Sequence, residues 1–467
     1  MRLKSLQFSI TCSAIFLYIG IIIGSQFVNL SFAESSKILN LSNGIINSTF
    51  PQIKTFNHNF ILVFWTGDAN HGVNNEIQSD IFLAKSENKG ISFKDPINIS
   101  NNTGSSFNPQ SEVSSNIIYV VWEDDTFARS YDLLDTNTSI LFKQSKDNGN
   151  TFSSPVFLSF NNTDSTNPDI TTAVNDNNAV YVVWQDNSDK SSKILFKKNT
   201  SNNNNTIFSN QQIISNNEGD NYEISPQIAA YNNTIDVMWN SFNVKDDTST
   251  ILIRNSINDG NSFGKTIFLN NNDSSKFATN SIIKMYDNDV YVVWQEQIKD
   301  QFDVFLTKSS DDGITFNEPI NLSDDSGDSI NPNLIVLHNN LHVIWNDNNT
   351  KKDNIMIKSS SDGGITFNEP INLSTTTNSN SINPQLAATA DELFVVWQEQ
   401  IKDQFDVFLT KSSDDGITFN EPINLSTTTN SNSINPQLAA TADELFVVWQ
   451  EDISGNNQIY FTSIDTI

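Results

Sequence analysis

Residues 381–426 read SINPQLAATADELFVVWQEQIKDQFDVFLTKSSDDGITFNEPINLS, a stretch that contains four short segments with the composition of β-strands. The clearest is 393–397, an apolar run of β-branched and aromatic residues that is typical of a strand buried on both faces. Asn-Pro-Gln-Leu-Ala precedes it at 383–387, and two further runs follow at 406–410 and 422–426. Proline stands at the start of the first and fourth segments, where a missing N–H is best tolerated. The stretch therefore predicts a unit of four strands.

The same unit recurs along the whole chain. Residues 368–399 are repeated without change at 420–451, which gives the unit a length of 52 residues. A tryptophan closes each apolar run, and successive tryptophans are 57, 62, 55, 55, 51, 52 and 52 residues apart. These eight residues are Trp65, Trp122, Trp184, Trp239, Trp294, Trp345, Trp397 and Trp449. A period of about 50 residues with four short strands is typical of a β-propeller blade.

The turn between the third and fourth strands carries a second repeated pattern, S-x-D-x-G-x-T-F. It is intact at 145–152, 309–316, 360–367 and 412–419, and softened at 86–93 and 256–263. Ser and Asp side chains in such a turn can accept hydrogen bonds from backbone N–H groups, and Gly tolerates a positive φ. We therefore expect the pattern to be structural, and its residues include Ser145, Asp147, Gly149, Thr151, Phe152, Ser309, Asp311, Gly313, Ser360, Asp362, Gly364, Ser412, Asp414 and Gly416.

This pattern resembles the Asp-box, or bacterial neuraminidase repeat, of sialidase-like propellers, and the resemblance covers residues 37–467. Sialidases hold the substrate carboxylate with three arginines and use a Tyr–Glu nucleophile pair with an Asp acid/base. After residue 33 the chain has two arginines, Arg129 and Arg254, and lysine does not replace the bidentate guanidinium. No sialidase site residue can be transferred to this sequence, so we expect no release of sialic acid.

The two ends of the chain predict how the ring closes. The last unit stops after its third strand at 458–462, and the segment 37–42, Lys-Ile-Leu-Asn-Leu-Ser, echoes the Pro-Ile-Asn-Leu-Ser of a fourth strand. Pairing these two segments would complete one blade and remove the open edges. The sequence thus predicts an all-β fold: a single β-propeller of eight four-stranded blades, closed by its N- and C-terminal strands. Because six or seven blades are usual for Asp-box propellers, a distorted array or two separate bodies are the alternatives.

Composition and the N-terminus indicate an exported protein. Arg2 and Lys4 precede an apolar run, and small residues at 31 and 33 fit cleavage before Glu34, so residues 1–33 are predicted to be a signal peptide and 34–467 the propeller. An uncleaved membrane anchor is the alternative, and no other apolar run of spanning length follows. The single cysteine, Cys12, lies within this segment. The net charge of −28 disfavours nucleic acid as a partner.

Departures from the repeat point to a candidate ligand site. The longest loops between second and third strands are in the first two blades, on the face where propellers usually bind ligands. They should bring together Asp68, His71, Glu123, Asp124, Arg129 and Tyr131. Nearly every blade also has a carboxylate just after its tryptophan, which would either solvate the ring mouth or bind Ca²⁺ or a polyhydroxylated ligand. These carboxylates are Glu123, Asp124, Asp186, Glu296, Asp347, Glu399, Glu451 and Asp452.

The function expected from these features is that of a secreted or cell-surface propeller without catalytic activity, which binds glycans, cations or another surface protein. A glycoside hydrolase that uses a carboxylate pair on the binding face is the alternative, since hydrolysis needs two suitably spaced carboxyl groups. His58, His338 and His342 have no spacing typical of a zinc site. The ligand, a metal and the oligomeric state stay open from sequence, with Ca²⁺ as the cation that an acidic mouth would suit.

Overall fold

The chain is an eight-bladed β-propeller in which eight antiparallel four-stranded sheets form a ring. The computed structural model describes residues 37–70, 77–126, 137–159, 164–173, 179–187, 191–199, 207–215, 221–270, 275–349, 352–374, 379–426 and 431–466. The first strands of neighbouring blades contact each other all round the ring, including the pair that joins the last blade to the first. The predicted fold class and the number of blades are confirmed.

Blades 1 to 7 each use four consecutive strands in chain order, from the central channel to the rim, whereas blade 8 combines the last three strands of the chain with the first. The first strand of the chain, β1 (Leu39–Asn40), belongs to blade 8. Blades 1 to 4 contain β2 (Ile46–Phe56), β3 (Phe60–Asn70), β4 (Ile77–Ser86), β5 (Ile97–Asn98), β6 (Ser106–Ser114), β7 (Ile117–Asp124), β8 (Ser139–Ser145), β9 (Val156–Phe157), β10 (Ser165–Thr172), β11 (Val180–Asp186), β12 (Lys193–Lys198), β13 (Gln212–Ile213), β14 (Asn221–Tyr231), β15 (Thr234–Asn243), β16 (Thr248–Ser256) and β17 (Ile267–Phe268). Blades 5 to 8 contain β18 (Ser275–Tyr286), β19 (Asp289–Ile298), β20 (Gln301–Ser309), β21 (Ile320–Asn321), β22 (Ser329–Leu337), β23 (Asn340–Asp347), β24 (Asn354–Ser360), β25 (Ile371–Asn372), β26 (Ser381–Ala388), β27 (Leu393–Ile401), β28 (Gln404–Ser412), β29 (Ile423–Asn424), β30 (Asn432–Ala440), β31 (Glu444–Ile453) and β32 (Asn456–Asp465).

The hydrophobic core lies between the blades rather than in one central mass. Each apolar cluster joins two neighbouring sheets, as where Val63 and Trp65 of blade 1 pack with Val448 and Phe461 of blade 8. The second strand of each blade is apolar on both faces because it packs against a neighbour on each side. All eight tryptophans are at most 1% exposed, which confirms that they serve packing between sheets.

The N- and C-termini meet in blade 8. Strand β1 pairs antiparallel with β32, and Leu39 lies opposite Phe461. The Leu41 N–H donates to the Ile459 carbonyl at 2.8 Å, and the Ile459 N–H donates to Ser42 Oγ at 2.8 Å. The order β1-β32-β31-β30 therefore completes the blade that the C-terminal segment leaves one strand short.

The four intact S-x-D-x-G-x-T-F turns share one hydrogen-bond pattern. In blade 7 the Gly416 N–H donates to Ser412 Oγ at 2.9 Å, and the Thr418 N–H donates to Asp414 Oδ1 at 2.8 Å. The glycine has a φ of 76°, which favours a residue without Cβ. In blade 2 the equivalent bonds, led by the Thr151 hydroxyl, hold the pKa of Asp147 at about 2. The side chains of the pattern are thus used inside the turn.

Each turn also packs against the preceding blade, and one of these contacts contains a buried acid. Asp236 of blade 4 lies against Gly313 of blade 5, at the position that Leu62 occupies in blade 1. Asp236 is fully buried, and neither carboxylate oxygen has a hydrogen-bond partner among the described residues. Burial raises its pKa well above the usual range, and the charge of Asp312 adds to the effect.

We expect Asp236→Leu to stabilise the fold at pH 7 by about 1–3 kcal/mol, the range for removing a buried group without a partner. In the unfolded chain this carboxyl loses its proton near pH 4, whereas its raised pKa in the folded protein favours the protonated form to higher pH, so the group costs stability increasingly as pH rises above 4. The gain should shrink as pH falls towards 4. Denaturant unfolding of this variant at pH 4 and pH 7 measures the gain at each pH, and Asp391→Leu at an exposed position is the control. A variant less stable than wild type at pH 7 would contradict the prediction.

Candidate functional site

The central channel contains two contiguous cavities lined by the first strands. The upper cavity, of about 1030 Å³, lies where these strands begin, and the deeper one, of about 570 Å³, lies further along them. They share lining residues from six blades, which are Gln52, Asn108, Gln227, Ile282, Asn333 and Gln437. A ligand that enters at the upper end can therefore reach both.

A β-bulge in every first strand shapes the upper cavity. At each bulge the pairing register with the second strand shifts. In all eight blades one residue of the bulge takes a left-handed conformation, with φ between 48° and 56°. Asparagine, which tolerates this conformation better than most residues, is used in six blades. The eight residues are Phe50, Asn108, Asn167, Ser225, Asn280, Asn331, Asn383 and Asn435.

The bulges also connect neighbouring blades. Gln295 Oε1 accepts a hydrogen bond from Asn280 Nδ2 of its own blade at 3.0 Å and from the Asn331 N–H of the next blade at 2.8 Å. Gln398 accepts from Asn383 and from the Asn435 N–H in the same way, at 3.1 and 2.9 Å. The ring around the cavity is thus held by side chains whose partners come from two blades.

Two aromatic residues replace the repeat's usual residues at this ring. Phe50 stands where six other blades have asparagine, and its side chain is 67% exposed at a φ of 53°. Phe107, in blade 2, precedes Asn108 and is 38% exposed. Both line the upper cavity from adjacent blades. A bulky residue in a left-handed conformation is strained, and such strain persists where the surrounding structure or a function requires it.

Three of the six residues predicted for the ligand site lie in the described part of the chain. Asp68 lines the upper cavity, where Oδ2 accepts from Asn47 Nδ2 at 2.6 Å and Oδ1 from the Ser79 hydroxyl at 3.0 Å. His71, Arg129 and Tyr131 lie outside the described residues. The structure therefore places one predicted residue, Asp68, directly at the cavity.

Glu123 has a different environment from the one that the sequence suggested. Its Oε1 accepts from Asn108 Nδ2 at 3.0 Å and from the Asn167 N–H at 2.8 Å, which is the bridging role that Gln295 and Gln398 have in other blades. Burial raises the pKa of the carboxyl, and these two hydrogen bonds partly oppose the shift. Glu123 thus supports the bulge ring from behind Asn108.

Asp124 belongs to a set of buried carboxylates that follow the tryptophans. It is 1% exposed and accepts hydrogen bonds from the Trp122 indole at 3.1 Å and the Ser106 hydroxyl at 2.9 Å. The sequence suggested that these carboxylates either solvate the mouth of the ring or bind a ligand there. In the structure, several of them accept hydrogen bonds from buried indole groups. The described members with an indole partner are Asp124, Glu296, Glu399 and Glu451.

The deeper cavity contains four charged side chains from four blades. Lys54 and Glu112 form an ion pair with Nζ and Oε2 3.0 Å apart. Asp169 accepts backbone N–H bonds from Ile170 and Ile228, each at 2.9 Å, and burial raises its pKa to about 6. Lys284 lines the same cavity, and burial lowers its pKa. In the sequence, candidates were sought mainly in loops, and these residues were not identified. Comparison of the first strands between blades would have shown charged residues at positions where blades 7 and 8 have alanine or, for Asp169, glutamine.

Arg254, one of the two arginines that follow residue 33, lies away from the central channel. Arg254 lies in a separate cleft of about 900 Å³ on blade 4, where its Nε donates to Thr266 Oγ1 at 2.9 Å. Among the described residues, no group of three or more His, Cys, Asp or Glu side chains is arranged to hold a metal ion. In the same part of the chain, no helix has the length and apolar composition needed to cross a bilayer.

Comparison with known proteins supports the fold at low sequence identity. No family model and no curated protein matches the chain. Among solved structures, the polysaccharide lyase Uly1 is similar with a TM-score of 0.50 and 10% identity, over 79% of this chain and 91% of that one. An ulvan lyase of a new polysaccharide lyase family, PL25, has a TM-score of 0.43 at 12% identity, over 77% and 78% of the two chains. The endosialidase of phage phi92 has a TM-score of 0.42 at 10% identity, over 77% and 66%. At 10% identity, the likeness to Uly1 extends to the fold alone.

Proposed function

We propose that the protein is an exported, non-catalytic propeller of the Asp-box type that binds glycans at the mouth of its central channel. Residues 1–33 would direct it out of the cell, and it would act in secreted form or at the cell surface. The observation that carries the proposal is the upper cavity, in which the exposed rings of Phe50 and Phe107 lie beside a ring of amide side chains. Aromatic faces pack against apolar sugar surfaces, and amides exchange hydrogen bonds with hydroxyl groups.

The conformation of Phe50 adds a second argument. Asparagine would be less strained at this φ, and six blades have asparagine there, so packing alone does not favour phenylalanine. An exposed aromatic ring that is kept in a strained conformation at a cavity is expected where it contacts a ligand. The polysaccharide lyase with the same overall fold agrees with a saccharide ligand for this scaffold.

The alternative, a glycoside hydrolase, needs two carboxyl groups about 5–9.5 Å apart around the scissile bond. Among the described residues that line the upper cavity, Asp68 is the one ionisable side chain. The described part of this cavity therefore presents mainly amide, hydroxyl and aromatic groups. In the deeper cavity the carboxyl of Glu112 is paired with Lys54, and that of Asp169 accepts two backbone N–H bonds. Together these features favour binding over hydrolysis. Ca²⁺ is retained as a proposed ligand of the acidic exterior, and a surface protein as an alternative partner.

We expect Phe50→Asn to weaken glycan binding about tenfold or more, since exposed aromatic anchors dominate such contacts. The same substitution restores the residue of the other blades and relieves strain, so thermal stability should be unchanged or higher. Glycan-array binding and a thermal melt measure the two effects, with Phe157→Ala on the outer strand of blade 2 as control. Hydrolysis and sialic acid release are assayed alongside and should be undetectable.

Two results would contradict the proposal. One is turnover of a glycan by the wild-type protein. The other is an array on which Phe50→Asn binds as strongly as wild type. The first would show that the protein is an enzyme, and the second would place glycan binding away from Phe50.

A further inference from the structure

The deeper cavity differs from the repeat at a defined position of the first strands. Four residues beyond each bulge residue, blades 7 and 8 have Ala387 and Ala439, whereas blades 1, 2 and 5 have Lys54, Glu112 and Lys284. Residues repeated in every blade serve the fold. Charged replacements in a shared cavity are therefore candidates for a role that only some blades of the ring perform.

Lys284 is the unusual member of this group. It makes no hydrogen bond or ion pair with any other described residue, although the chain contains 54 acidic and 26 basic residues and many of its lysines pair with an acid. Lys54, for example, pairs with Glu112. The charges that act on Lys284 are those of Lys54, Asp169 and Glu112. Both acids already accept hydrogen bonds from other groups. Its ammonium group thus faces the cavity with its donors unused.

We propose that Lys284 binds the carboxylate of an acidic sugar, so that the channel selects glycans that end in a uronic acid. The inference rests on the proposed function and deepens it by naming the ligand class. The neutral amides of Gln227, Asn333 and Gln437, which border both cavities, can exchange hydrogen bonds with the hydroxyls of the same sugar. Asp169 and Glu112 can accept from hydroxyls, whereas they would repel a bare anion.

The shape of the channel restricts which part of a glycan can reach Lys284. First strands from the eight blades enclose the channel on all sides, and the two cavities are continuous along its axis. A sugar that enters from the upper end passes Phe50 and Phe107 before it reaches the deeper cavity. On this route a terminal uronic acid is the unit that would contact Lys284.

The net charge of −28 opposes an anionic ligand at long range. At physiological ionic strength, charges more than about 8 Å away are largely screened, whereas an ammonium at contact distance is screened much less. The test is therefore performed at that ionic strength. Lys284→Met removes the charge at nearly constant volume, Lys284→Arg retains it, and Lys245→Met removes one exposed lysine in a turn of blade 4 as the matched control.

The probes are methyl glucuronide and methyl galacturonide, each compared with its neutral counterpart, methyl glucoside and methyl galactoside, by titration followed with NMR. We expect wild type and Lys245→Met to bind the acid form about tenfold or more tightly than the neutral form, which is the usual range for a charged hydrogen bond. Lys284→Met should lose this preference but keep the affinity for the neutral sugars, and Lys284→Arg should retain part of it. Sodium sulfate, added as a competitor, should displace the acids only weakly.

The other outcomes distinguish this inference from the proposed function. Neutral sugars that bind in a Phe50-dependent way, without preference for the acid, overturn the role of Lys284 and leave the glycan site intact. An acid preference that survives Lys284→Met has the same consequence. Equal competition by sulfate indicates a simple anion site and also overturns the inference. Failure of wild type to bind any sugar of the panel, together with a negative glycan array, contradicts the proposed function itself.

Discussion

A chain that lacks residues 37–42 is expected to lose about 5 kcal/mol or more of its stability and the sharpness of its unfolding transition. The segment buries Leu41, a side chain whose loss costs about 2–5 kcal/mol, and each lost hydrogen bond adds about 1 kcal/mol. The deletion also leaves the edge of β32 unpaired, and an open edge strand favours aggregation. Because stabilities of 5–15 kcal/mol are usual, such a loss approaches the total.

Urea unfolding and size-exclusion chromatography of the truncated chain measure this effect. A synthetic peptide of residues 37–42 should partly restore the transition when it is added in excess, since it can pair with β32 as β1 does. Leu41→Ala in the full chain provides a graded control and should cost about 2–5 kcal/mol while the ring stays closed. A truncated protein as stable and as monomeric as wild type would show that the closure between β1 and β32 contributes little.

The fold was predictable because every blade repeats the same local information. The spacing of Trp345, Trp397 and Trp449 identifies the unit, and the segment at 37–42 is recognisable as the strand that the last unit lacks. The same pattern of apolar strand residues occurs in eight repeats. A repeat whose pattern is weak can therefore be misread without changing the predicted fold. The third blade, where the turn pattern is lost, illustrates this, since its four strands are still formed.

The candidate site was predictable only in part, because side-chain partners across strands cannot be seen in the sequence. Asp124 was expected near the mouth of the ring, but its carboxylate turns inward to Trp122. Phe50 and Phe107 were overlooked because their strand positions look like ordinary apolar positions. Only the register of the bulge shows that they border a cavity. An alignment of the eight units by their bulge residues would have shown both as departures from Ile-Asn-Pro.

The buried carboxylates form a recurring arrangement with an indole and a serine. In blade 8 Glu451 accepts from the Trp449 indole at 2.9 Å and from Ser433 Oγ at 2.6 Å. In blade 4 the acid and the serine have exchanged strands: Glu223 lies on the first strand and Ser241 follows Trp239, yet the indole still donates to the carboxylate. In the blades that have this arrangement, the acid can thus lie on either strand while its hydrogen bond with the indole is kept.

This arrangement predicts that Trp397→Ala costs about 3–5 kcal/mol, as for other buried aromatic residues, with a further loss because the acceptor is left behind. Glu399 is 1% exposed, and the Trp397 indole donates to it at 3.1 Å.

Trp397→Phe isolates the loss of this hydrogen bond. The variant keeps most of the packing and should still cost about 1.5–3 kcal/mol, the value of a hydrogen bond to a charged group. Trp345→Phe is the matched control, because the Trp345 indole has no hydrogen-bond partner in the described structure and loses packing only. Denaturant unfolding of the three variants measures the differences. Equal costs for Trp397→Phe and Trp345→Phe would show that the indole-to-carboxylate bond does not stabilise the ring.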